Sequence, residues 1–198
     1  MTRTPMTLTC TRLTPSEFPS YVDELGALLA DVVHGGSSLG FLHGLTPYEA
    51  ATWWRDYVGP SVERGSTAVW VATDTEGTAA PDRCVGTISL AFTEKPNGRH
   101  RAEVVKLMVH GSTRGTGLGR TLLATAERAA AEAGVTLLVL DTETGSPAEN
   151  FYRKAGWDEV GVIPDYAADP AGVLRPTTLF CKRLEPLMPL VPVGDCQE

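Results

Sequence analysis

Little in this chain points to a specialised structural class. Its 198 residues hold four cysteines, Cys10, Cys84, Cys181 and Cys196, far apart and without a CxxC pair. That spacing suggests neither a zinc ribbon nor a disulfide framework. Positive charge is scarce: 17 Lys and Arg against 24 Asp and Glu leave a net charge of −7, which argues against a nucleic-acid surface. No apolar run approaches transmembrane length, and the opening MTRTPMTLTC lacks the hydrophobic stretch of a secretory signal. The expected setting is the cytoplasm, with no membrane partner. No internal repeat is evident, and no cluster of histidines or carboxylates suggests a metal. What remains is an ordinary globular composition, 42% hydrophobic and 21% charged, in a length that fills one core.

Three segments carry the same helix-start signature: Thr14-Pro15-Ser16-Glu17, Thr46-Pro47-Tyr48-Glu49 and Ser146-Pro147-Ala148-Glu149. In each, a hydroxyl cap precedes a proline at the first helical position and a glutamate three residues after the cap. After the first, Phe18, Tyr21, Val22, Leu25, Leu28, Leu29 and Val32 recur at helical spacing. The second opens a shorter helix with Trp53, Trp54 and Tyr57, and the glycine-rich HGGSSLGFLHG lies between the two. TAVWVAT (67–73), CVGTISLAF (84–92) and AEVVKLMVH (102–110) predict an antiparallel meander.

Leu118, Leu122, Ala126, Ala129 and Ala133 then form a helical stripe stopped by Gly134. VTLLVLD (135–141) reads as a strand buried on both faces. The third signature starts a helix ending near Gly156, and strands near 157–162 and 177–184 bracket a loop, IPDYAADPAGVLRP. The prediction is one α/β domain over residues 7–185, a mixed and mostly antiparallel sheet of about seven strands flanked by about four helices. A flexible proline-rich tail, 186–198, would follow.

RGTGLG (114–119) falls between a strand and a helix. Main-chain N–H groups at such a place, with the positive end of the helix dipole, bind phosphate. Bare backbone at Gly115, Gly117 and Gly119 would let an anion come close. The chain lacks the GxxxxGK[ST] of a P-loop, and a GxGxxG reading finds Arg120 or Leu122 where the last glycine belongs. What does fit is Arg-x-x-Gly-x-Gly at Arg114, Gly117 and Gly119.

With VKLMVH before it and TLLVLDTETGSPAENFYRKAGW after it, closing on Tyr152, Gly156 and Trp157, this stretch resembles the GCN5-related N-acetyltransferases. The resemblance spans roughly residues 7–185 and implies acetyl-CoA as cosubstrate, with no metal. It implies a cofactor site of Leu107, Met108 and Val109 on the fourth strand, with Arg114, Gly115, Thr116, Gly117, Leu118, Gly119 and Arg120 around the pyrophosphate. Gly145 departs from the asparagine the broad family often has there. Gly40-Phe41-Leu42, the run from Asp141 to Tyr152, and Asp169 to Thr177 resemble the narrower tabtoxin-resistance type, whose acceptor is amino-acid-like.

Acyl transfer from a thioester to an amine needs a neutral amine and a partner for the departing thiolate. A lysine-like amine titrates near 10.4, a thiol near 8.5 and a phenol near 10, so at neutral pH a base is needed and a phenol keeps its proton. The resemblance casts Tyr152 as the acid and Asp141 as the base, with partial burial sharpening Asp141; Glu103, four residues before Leu107, is the rival base. Each also has a plain structural reading: a packed aromatic for Tyr152, a cap on the 142–146 loop amides for Asp141, a strand-edge charge for Glu103.

His110 reads as solvated, while His34 and His43 flank the front glycine loop and are candidates to line an acceptor pocket, with plain surface histidines as the alternative reading. The expected function is acetylation of a small primary amine in a ternary complex, in the setting of antibiotic or toxin resistance. The alternatives are a protein lysine or N-terminal acetyltransferase and a non-catalytic coenzyme A sensor. Pairing or exchange of the last strands would give a homodimer.

Overall fold

The computed structural model describes residues 8–74 and 83–185; the tail predicted for 186–198 lies outside the described residues. The three helix-start signatures give three different local structures. At Thr46 both halves of the cap form: its hydroxyl accepts the Glu49 N–H at 3.2 Å, and the Glu49 carboxylate accepts the Thr46 N–H at 2.9 Å. This starts α2 (Pro47–Trp53). Equivalent bonds at Thr14, 3.3 and 2.9 Å, close only a turn, and α1 (Phe18–His34) begins after it. At Ser146 the hydroxyl takes the Glu149 N–H at 3.3 Å, ahead of the helix Pro147–Lys154. Here the carboxylate turns inward instead. It accepts the Gly145 N–H at 2.9 Å and the Thr178 hydroxyl at 2.7 Å, so a buried acid joins that helix to the sheet.

The second helix is longer than predicted. From Trp53 it continues through a π-helical turn, Trp54–Val58, into α3 (Gly59–Glu63). The remaining elements are β1 (Leu8–Arg12), β2 (Thr67–Asp74), β3 (Arg83–Phe92), β4 (Arg101–Val109), α4 (Leu118–Glu132), β5 (Leu137–Glu143), α5 (Pro147–Lys154), β6 (Asp158–Ala168) and β7 (Leu174–Arg183). They form one seven-stranded open sheet in the order β1-β2-β3-β4-β5-β7-β6. Every neighbouring pair is antiparallel except β4 and β5.

Two cores cover its two faces. Leu118, Leu122, Leu123 and Ala126 of α4 pack with Tyr152 of α5, Leu138, Leu140 and Phe180 on one. Leu25, Leu29 and Val33 of α1 pack with Trp54, Val69 and Met108 on the other.

Two predictions are corrected. The strand expected to be buried on both faces is buried on one: Leu138 and Leu140 are covered, while Val139 is half-buried and Asp141 exposed. The opposite face opens onto the cleft described below. The expected loop at 163–176 is mostly a hairpin of β6 and β7, with a turn only at 169–173. A bulge between Ile163 and Ala167, with Asp165 at φ 49°, absorbs Pro164. Proline is tolerated there because β6 is an edge strand, where a missing N–H need not break a ladder. Asp169 then organises the turn, accepting the N–H groups of Ala171 and Val173 at 3.0 Å each.

The α1–α2 contact is tight at one point. A Cβ on Gly26 would lie 2.6 Å from Ala51 N and 2.7 Å from Pro47 O. Gly26→Ala is therefore expected to lose about 1–3 kcal/mol through overpacking, read as a lowered thermal midpoint. An unchanged midpoint would show that the two helices separate freely.

Candidate active site

The site begins with a break in strand pairing. β4 and β5 run side by side only at Arg101–Leu137, Ala102–Leu138 and Glu103–Val139, then diverge. On its other edge β4 carries a bulge. Between the pairs Met108–Thr87 and Val105–Ser89, two residues, Lys106 and Leu107, oppose Ile88 alone, and Lys106 sits at φ 54°. Such a bulge bends its strand and strengthens the local twist. The β5-facing edge of β4 from Val104 to Val109 is left without a strand partner.

Past the open edge, Gly111–Thr113 makes one 3-10 turn and α4 starts at Leu118, with Gly117 as its cap at φ 90° and Gly115 at φ 80°. A side chain at either position would be strained, yet nothing stands within 4 Å. Gly119 differs: an added Cβ would make ordinary contacts, 3.7 Å to Val109 and 3.8 Å to Phe151. The N–H groups of Gly115, Gly117, Leu118 and Gly119 take no hydrogen bond among the described residues. With Arg114 and Arg120 exposed on either side, these amides form an anion cradle at a helix N-terminus. Leu118 contributes only main chain, since its side chain is buried in the core. Of the predicted strand residues, Met108 is buried against α1, and Leu107 and Val109 are half-buried on the α4 side.

Three of the predicted catalytic residues converge where β4 and β5 part. Asp141 lies on β5, and its carboxylate accepts the Thr177 hydroxyl at 2.9 Å. It does not cap the 142–146 loop; Glu149 holds the Gly145 amide instead. Nor does Asp141 have the expected partial burial, because it projects from the open face of β5.

Glu103 keeps an exposed flank, but burial of its carboxyl end, and then the nearby charge of Asp141, raise its pKa above 4.5. Tyr152 approaches from α5. Its ring packs against Phe151, Trp157 and Phe180 at centroid distances of 5.2, 5.8 and 6.0 Å. Burial, and then Asp141, push its pKa above that of a free phenol. The packed-aromatic reading therefore holds for the ring, while the hydroxyl feels the same carboxylate as Glu103.

A fourth group was missed. Lys106 extends from the bulge into a cage of Phe41 and Trp53, its ammonium 5.3 and 4.9 Å from the ring centres. Its Nζ donates to the Leu39 carbonyl at 2.6 Å. Burial lowers its pKa, and the charges of Asp141 and Glu103 oppose that shift. A lone lysine inside the apolar run VVKLMV was the available signal. The loop it grips is fastened at a second place, where the His43 N–H donates to Pro170 O at 2.7 Å. The α1–α2 loop and the β6–β7 turn thus meet over the divergent strands.

His110 is not solvated as expected. Its Nδ1 lies 2.8 Å from the Ser112 hydroxyl and accepts the Ser112 N–H at 3.2 Å, and its Nε2 is 3.7 Å from the Asp31 carboxylate. His34 and His43 are exposed.

A family model described as "Acetyltransferase (GNAT) family" matches residues 27–157. Among solved structures, a protein of Acinetobacter baylyi ADP1 described as an acetyltransferase superposes with a TM-score of 0.74 at 17% identity, covering 95% of this chain and 98% of that one. A protein described as a phosphinothricin N-acetyltransferase gives 0.70 at 21%, covering 90% and 99%. Salmonella typhimurium yncA, described as an acetyltransferase and solved with its cofactor acetyl-CoA, gives 0.69 at 16%, covering 92% and 95%. These likenesses establish the fold. No helix among the described residues is long and apolar enough to cross a membrane.

The environment of Glu103 has a stability signature. A carboxyl whose folded pKa is raised holds its proton more tightly in the folded state than in the unfolded one, so stability falls as pH climbs from the unfolded value through the folded one. Glu103→Gln is expected to raise the melting temperature at neutral pH, with a gain that vanishes well below the ordinary value of 4.5. A pH-independent effect in paired thermal melts would contradict this.

Proposed function

Since the chain belongs to the GNAT acetyltransferase family and is on that account an acetyl-CoA-dependent N-acetyltransferase, we propose that it acetylates the primary amine of a small molecule, both substrates bound together. The observation that carries this reading is the common reach of Asp141: its charge acts on Glu103, on Lys106 and on Tyr152 at the opening between β4 and β5. A base, a neutral phenol and an anion cradle are what the reaction requires, and β4 leads from the opening to the cradle.

The unpaired amides of Gly115, Gly117, Leu118 and Gly119, with Arg114 and Arg120, would hold the pyrophosphate of acetyl-CoA. The open edge of β4 through Leu107, Met108 and Val109 would take the pantetheine amides. Bound there, acetyl-CoA supplies an acyl group activated as a thioester. Asp141 or Glu103 takes the proton from the acceptor ammonium, and the raised pKa of Glu103 suits it to that work nearer neutrality. The Thr177 hydroxyl occupies one oxygen of Asp141 and orients the other.

Tyr152 remains protonated at neutral pH. Because its pKa exceeds that of a thiol, it holds the departing sulfur by a hydrogen bond; as the N–C bond forms and the C–S bond breaks, the second proton shed by the amine nitrogen passes to that thiolate. The bridge from His43 to Pro170 favours a small acceptor over a peptide, which needs an open groove. An amino-acid-like antibiotic or toxin is an acceptor of this size.

Tyr152→Phe is expected to lower kcat about a hundredfold while calorimetry finds acetyl-CoA affinity unchanged. Full turnover in that variant would remove Tyr152 from the chemistry. A thiol-release screen with free amines beside lysine and N-terminal peptides tests the acceptor class, and turnover of peptides alone would replace the small-amine reading.

A further inference from the structure

Three buried side-chain polar atoms among the described residues have no hydrogen-bond partner: Thr52 Oγ1, Trp54 Nε1 and Ser89 Oγ. Two of them belong to one place. Trp54 and Ser89 line a cavity of about 230 Å³ under α2 and α3, whose wall also includes Trp53, Val105 and Lys106. Both residues are closed off from bulk solvent, at 0% and 1% exposure. Buried polar groups in folded proteins nearly always find partners, so unmet ones call for an explanation.

The chemistry of this lining is one-sided. An indole nitrogen only donates, an ammonium only donates, and a serine hydroxyl donates readily to an anion. Among the described residues Lys106 spends a single hydrogen bond, on Leu39 O, and it brings a positive charge. No carboxylate lines the cavity. Yet Glu103 and Asp141, both felt by Lys106, stand toward the opening of the sheet. The cavity itself is thus donor-rich and cationic, and Lys106 in its wall is also within reach of the charges of Glu103 and Asp141 outside it.

We propose that the acceptor is zwitterionic, a small amino-acid-like molecule. Its carboxylate or comparable oxyanion enters this cavity to meet Trp54 Nε1, Ser89 Oγ and Lys106 Nζ, and its amine faces Glu103 and Asp141. The assignment rests on the small-amine reading above and adds the group that selects among amines. Lys106 and Ser89 thereby become specificity-determining residues.

Binding and turnover are tested separately. In 15N-labelled protein, with the Trp54 indole resonance assigned through Trp54→Phe, sodium butyrate should shift that resonance saturably and butyramide should not. Lys106→Met should abolish the shift. An indole blind to butyrate overturns the anion site even where simple amines are acetylated. A butyrate shift without transfer to any amine strikes the acetylation reading and leaves the anion site standing.

In turnover, an α-amino acid should exceed its decarboxylated amine in kcat/KM by about tenfold or more. Lys106→Met should collapse that ratio and Lys106→Arg should restore part of it. Ser89→Ala should lower the ratio a few-fold while raising the melting temperature by a few degrees, because an unmet buried hydroxyl is removed. Equal use of acid and decarboxylated amine by the unaltered protein would refute the proposal.

Discussion

The parting of β4 from β5 is the constraint on which the rest of this structure depends. A paired strand has no main-chain groups to offer a ligand. Here pairing stops at Glu103 and Val139, and the bulge at Lys106 and Leu107 accompanies the divergence on the other edge of β4. That separation leaves the β4 edge free. It brings Asp141 to an open face and carries the chain onward into the 3-10 turn and the glycine cradle. The same bulge sends the Lys106 side chain under the α1–α2 loop. One local irregularity thus shapes both the open β4 edge and the side-chain cluster beside it.

Electrostatics in the opening follow from this geometry. Two carboxylates, an ammonium and a phenol share a partly dry space, where each ionisation affects its neighbours. The pKa of Glu103 rises, that of Lys106 falls and that of Tyr152 rises, burial being the first cause in all three. A site so arranged is costly to the free protein, as expected where function competes with stability.

Much of this was legible in the sequence because the relevant signals are local. Two of the three hydroxyl-proline-x-glutamate signatures located helix starts, and the glycines of RGTGLG marked the bare main chain that Gly115 and Gly117 supply at positive φ. The element order needed only the shift in periodicity between meander and helices. What stayed hidden depends on distant pairing. Glu149 has the spacing of a capping acid, but its carboxylate turns to Thr178, a partner 29 positions away. Pro164 and Asp165 carry the marks of a loop, and only the edge position of β6 lets the strand continue through a bulge. Lys106 stands alone in an apolar run, but the aromatic rings of Phe41 and Trp53 that close around it come from segments distant in sequence.

The link from His43 to Pro170 is made wholly by main-chain atoms, an amide on one side and a carbonyl on the other. Its persistence is therefore largely indifferent to which side chains occupy either segment. Residues lining the cleft beneath it can change through mutation while this fastening stays closed. A fold fastened in this way can alter what its cleft accepts without rebuilding its architecture.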